Sequence, residues 1–135
     1  MPPVRLASLA QGRPFDAAQG RPDVALLSTE WQPRALLRAQ LIEEGFEVVA
    51  ADTWLMLRAH LRAQPKVVVV DLKNLPDASE ILRELRTLVD PDRVLVLHAL
   101  GTVGEADLKR LGVHIIERPV AISDVVAAVR GAIAG

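Results

Sequence analysis

From Asp23 onward, short apolar runs alternate with stretches of helical periodicity. Val24–Leu27, Phe46–Ala50, Val67–Val70, Val94–Leu97 and Val113–Ile116 are compact runs rich in Val, Ile, Leu and Ala. Apolar runs that do not alternate with polar residues suit parallel strands covered on both faces. Between them the spacing predicts helices. Pro33 to Glu44 presents Leu37, Leu41 and Ile42 on one face and Arg34 and Arg38 on the other. Pro33 suits a first helical turn and Gly45 a helix stop. Asp52 or Thr53 can cap a second helix, which runs to Gln64 before Pro65. Asp77-Ala78-Ser79-Glu80 has the spacing of a capping box and opens a third helix reaching Val89. Glu105–Leu111, stopped by Gly112, and Ile122–Ala132 complete the set. Five βα units in a row predict an α/β fold. It is a single doubly wound five-stranded parallel sheet with helices on both faces and right-handed crossovers.

The segment 1–22 breaks this pattern. It carries a short repeat, Ala10-Gln11-Gly12-Arg13-Pro14-Phe15-Asp16 and then Ala18-Gln19-Gly20-Arg21-Pro22-Asp23, with Gly and Pro recurring and no apolar period. We expect a disordered N-terminal arm there and one folded domain over 23–135. The arm reads as a docking peptide or, preferentially, a dispensable extension.

Composition narrows the function. With 16 basic and 17 acidic residues the formal net charge is -1. That balance lacks the basic face a nucleic-acid binder needs, or the cluster a membrane-surface protein needs. Without cysteine there are no disulfides, zinc thiolates or thiol catalysis. No apolar run is long enough to span a bilayer, and no secretory h-region opens the chain. A cytoplasmic protein is expected. A catalytic role is not: Ser28-Thr29-Glu30-Trp31-Gln32-Pro33, after the first strand, has no glycine to cradle a phosphate.

In open α/β sheets, sites form beyond the carboxyl ends of the strands. Those ends carry Ser28, Thr29 and Glu30, then Asp52, Asp71, His98 and the segment Glu117-Arg118-Pro119. Asp71, directly after four valines, stands where a buried strand emerges. It either caps nearby amides or presents a carboxylate for chemistry. His98 reads as a pH sensor or, preferentially, a hydrogen-bonded structural histidine. Trp31 is expected to pack over the first strand's end rather than serve as an exposed anchor, and Trp54 to cover the sheet's flank. His60 is expected to be solvated, and His114 to pack against a helix.

In element order, and in the strings LIEEGFEVVAAD, VVVVDL, RVLVLHAL and ERPV, the chain resembles the receiver domain of bacterial two-component response regulators. The resemblance implies a flavodoxin-like fold and five functional positions. An acidic pair after the first strand helps hold Mg²⁺; here Ser28 and Thr29 stand in that place. An Asp after the third strand accepts phosphate, and Asp71 matches it. A Thr or Ser ends the fourth strand, where this chain has His98. A Lys precedes the proline after the fifth strand, where it has Arg118. An aromatic switch on that strand is replaced by Ile115.

Hydroxyls are poor substitutes for carboxylates around hard Mg²⁺. The reading that follows is a pseudo-receiver acting by protein–protein contact, not an enzyme, with no cofactor and with Asp71 paired to Arg118. The alternative is a stand-alone response regulator phosphorylated on Asp71 by a histidine kinase, with Mg²⁺ held from shifted positions by Glu30 or Asp52. By analogy with receivers, Lys109, Arg110, Glu117, Asp124 and Arg130 mark a mixed-charge face for a homodimer or a separate output protein. No output domain is expected, because the chain stops after its last helix.

Overall fold

The computed structural model describes residues 21–99, 101–117 and 120–135. Five strands, β1 (Val24–Leu27), β2 (Val48–Ala51), β3 (Val67–Asp71), β4 (Val94–Leu97) and β5 (His114–Ile116), form one parallel sheet in the order β2-β1-β3-β4-β5. They alternate with α1 (Trp31–Glu43), α2 (Trp54–His60), α3 (Ala78–Leu88), α4 (Glu105–Leu111) and α5 (Ile122–Ala134). The expected doubly wound α/β fold is the one observed.

Strand alternation divides the core in two. Ala25, Leu27, Val68, Val70, Val94 and Val96 pack with Leu57 of α2, Leu82 and Leu85 of α3, and Leu108 of α4. Val24, Leu26, Val67, Val69, Leu95 and Leu97 pack on the other face with Leu37 and Leu41 of α1 and Val125 and Val129 of α5. β1, β3 and β4 are buried at every position. This is why their sequences run apolar without alternation. Each such Val or Leu contributes ~1.5–3 kcal/mol by leaving water.

Several local expectations are corrected. α1 begins at Trp31, so Pro33 is its third residue, where a missing N–H still costs no helical bond. Ile42 is exposed and leaves the apolar stripe to Leu37 and Leu41. β2 starts at Val48, because Gly45 (φ +98°) and Phe46 close α1 through bonds to the Ile42 and Leu41 carbonyls. α2 ends at His60 and tightens into a 3₁₀ turn over Leu61–Ala63. The capping box at Asp77 does not form. Its backbone is left-handed (φ 55°), and its side chain makes no cap hydrogen bond, whereas capping geometry needs an extended residue. Thr53 does cap α2, accepting from Met56 N–H at 3.2 Å.

The predicted arm lies outside the described residues except for Arg21 and Pro22. Pro22 accepts from Lys66 N–H at 3.1 Å, and Arg21 Nε donates to Gln64 O at 2.7 Å. Among the described residues no helix is long and apolar enough to cross a membrane.

Candidate functional site

The carboxyl ends of β1, β3 and β4 meet at a cleft of about 260 Å³ roofed by the first turns of α1 and α5. Ser28 and Asp71 line it together with Gln32, Leu36, Leu97 and Ile122. Both polar residues are buried, Ser28 at 2% exposure and Asp71 at 7%. They differ in what meets them. Asp71 Oδ1 accepts from Lys73 N–H at 3.0 Å, an Asx-type closure that turns the chain out of β3. Asn74, in the left-handed region (φ 57°), carries the turn that follows, closed by Leu75 N–H to Leu72 O at 3.1 Å. Among the described residues Ser28 Oγ has no hydrogen-bond partner, although its backbone is held by Ala51 O and by the Arg34 guanidinium.

The two neighbours of Ser28 are engaged elsewhere. Thr29 Oγ1 donates to Lys73 O at 3.1 Å. Glu30 accepts from Asn74 Nδ2 at 2.8 Å with one oxygen and pairs with Lys73 Nζ at 3.3 Å with the other. Asp52 is exposed and lines a separate cleft with Thr29, Thr53, Trp54 and Asp77. Among the described residues no group of three or more His, Asp or Glu side chains converges as a metal cluster. The Mg²⁺ that the receiver resemblance implies would therefore meet one carboxylate, a neutral Ser28 hydroxyl and a Thr29 hydroxyl already donating. Hard Mg²⁺ holds its octahedral shell through carboxylates and water, so this donor set does not fit it.

The opposite corner of the rim is built differently. His98 follows β4, and its side chain is 13% exposed. Its Nδ1 lies 3.0 Å from Glu117 Oε1 and its Nε2 3.0 Å from Val103 O. The Glu117 carboxylate raises the His98 pKa, and the Val103 carbonyl adds to this, while burial works the other way. The expected hydrogen-bonded histidine is what the geometry shows. Ile115 is partly buried against the α2–α4 core. Arg118, expected as the partner of Asp71, lies outside the described residues.

Three further expectations are revised and one holds. Trp31 is 71% exposed, because as the first residue of α1 it projects beyond the apolar stripe. Trp54 does pack on the sheet's flank. His60 is not simply solvated: its Nε2 lies 3.2 Å from Ala50 O. His114 is exposed at the sheet edge rather than packed under a helix. Of the mixed-charge face, Lys109 pairs with Glu105 and Arg110 with Asp107, both within α4, and Asp124 is exposed. Arg130 instead reaches Glu44 at the end of α1 (2.6 Å) and stacks 5.2 Å above Phe46.

No family model and no curated protein matches the chain. Solved structures do. A response regulator receiver domain protein from Clostridium thermocellum is 23% identical with a TM-score of 0.71, covering 82% of this chain and 93% of its own. A response regulator receiver protein from Pseudomonas putida is 24% identical with a TM-score of 0.71, covering 83% and 98%. A structure described as an adenylate cyclase from Rhodopirellula baltica is 20% identical with a TM-score of 0.65, covering 84% and 88%. The likeness establishes a receiver-type, flavodoxin-like fold.

Proposed function

We propose that this chain is an atypical receiver domain, a pseudo-receiver. It serves signal transduction by protein–protein contact, without the Mg²⁺-dependent aspartyl-phosphate cycle and without enzymatic activity of its own. The observation that carries this reading is Ser28: a buried, neutral hydroxyl, without a partner among the described residues, stands where the receiver resemblance calls for an acidic side chain. Glu30, a candidate replacement ligand, spends both carboxylate oxygens on Lys73 and Asn74. Asp71 then serves the fold, tying the β3 exit to Lys73. A separate protein, or a second copy of this chain, receives the signal.

A second reading draws on the burial of Asp71 beside an open cleft, a place from which a phosphodonor is reachable. A titration with Mg²⁺, with and without beryllofluoride, separates the two. Trp31 at the start of α1 and Trp54 beside Asp52 report by fluorescence, and backbone NMR shifts report at Asp71. The pseudo-receiver gives no saturable response at millimolar Mg²⁺. A saturable shift centred on Asp71 and lost in Asp71→Asn overturns it and establishes a phosphorylatable receiver.

A further inference from the structure

The two contacts of His98 cannot both be made by a neutral ring. Glu117 Oε1 and Val103 O are acceptors only, and each stands 3.0 Å from a different ring nitrogen. A neutral imidazole carries one N–H, so one contact would set a lone pair against an oxygen. The imidazolium has two N–H groups and satisfies both. We infer that His98 and Glu117 form a proton-dependent latch between the β4–α4 connection and the end of β5, closed when the ring is cationic.

The two arms of the latch are unequal, which fixes what happens when the proton leaves. Val103 is buried in the α2–α4 core at 4% exposure, so its carbonyl cannot retreat without moving the connection. The Glu117 side chain is 57% exposed and can turn into water. The neutral ring therefore keeps Nε2–H on Val103 O, and Glu117 is released. The pair passes from neutral to singly negative, and a free carboxylate appears at the β5 end of the sheet. The surrounding charge favours the closed state: Glu105 opens α4 and its field favours the cation. The β4–β5 ladder continues through His98 N–H to Ile116 O at 3.0 Å, so the two segments stay adjacent in both states. This latch operates whether or not Asp71 is ever phosphorylated, and its failure leaves the pseudo-receiver reading untouched.

The test is a pH titration of the full chain followed by the ¹⁵N shifts of the His98 ring and the backbone amides of 98–104 and 114–117. Below the midpoint both ring nitrogens should carry protons. Above it only Nε2 should, with Glu117 and its neighbours shifting at the same midpoint and the Val103 region moving little. Glu117→Gln should lower the midpoint toward the ordinary histidine value. A ring that is neutral throughout, or a midpoint unchanged in Glu117→Gln, overturns the latch. Should that variant fold poorly, the tautomer assignment in the unsubstituted chain decides: Nδ1–H above the midpoint overturns the proposed release of Glu117.

Discussion

Two corners of one sheet rim, one fully buried and the other open to water at its edge, treat polarity in opposite ways. At the β1 corner the Ser28 hydroxyl is buried, neutral and without a partner among the described residues. At the β4–β5 corner His98 has an acceptor on each ring nitrogen, and the corner carries charge. Both positions are ones where the receiver resemblance implies a different side chain. The first substitution removes charge from the cleft and leaves a hydroxyl unsatisfied. The second brings in a larger polar group whose partners come from two other segments. A buried polar group without a partner costs free energy, and one with full partnering does not. The fold thus bears a small cost at one corner while the other is held by a network.

The largest test puts a charged side chain in place of the neutral Ser28 hydroxyl. Ser28→Asp puts a second carboxylate in the cleft that Asp71 lines. An uncompensated buried charge typically costs ~3–5 kcal/mol, so urea denaturation at neutral pH should show a loss of about 3 kcal/mol or more. A loss under about 1 kcal/mol would mean the corner is far more polar than its burial indicates. Recovery of the loss on adding Mg²⁺ would show that the rim needs only its missing charge to hold the ion.

Ser28→Ala removes the orphan hydroxyl and should act in the other direction. An unsatisfied buried hydroxyl costs ~1–3 kcal/mol, so stability should stay level or rise by about 1 kcal/mol in the same assay. A clear fall would show that the hydroxyl has a partner, such as an ordered water, and would bring the two corners closer together.

The smallest effect belongs to Glu117→Gln. The raised pKa of His98 in the folded chain means that its stabilisation is fully present below the unfolded histidine value and fades as pH rises through the folded one. Exposed pairs contribute ~0.2–1 kcal/mol, and Glu117 is largely exposed. The parent should exceed Glu117→Gln in stability by up to about 1 kcal/mol near pH 5.5, below the ordinary histidine value. The difference should vanish at about pH 9. An advantage that grows with pH would contradict the latch.

The comparison also separates what was legible in the chain from what was not. Four consecutive valines followed by an aspartate have few placements other than a central strand opening onto the rim, and Asp71 is there. Local chemistry transferred less well. Asp77 has the residue types of a capping box but the wrong backbone for one. Trp31 looked like a lid for the β1 corner and is instead exposed, since two residues of extra helix carry it past the apolar stripe. Of the mixed-charge face read from analogy, Arg130 is engaged by Glu44 at the end of α1, a contact between residues far apart in the chain.

By itself, the sequence determined the layers, the order of the elements, the two-faced burial of β1, β3 and β4, and which residues end the strands. Apolar period and chain connectivity suffice for those, since burial acts on whole segments and is not directional. Only the tertiary structure decided that Ser28 would lack a partner, that Glu30 would be occupied by Lys73 and Asn74, and that His98 would find Glu117 and Val103 at once. Hydrogen bonds demand particular distances and directions between residues far apart in the chain, and no spacing along a sequence encodes these.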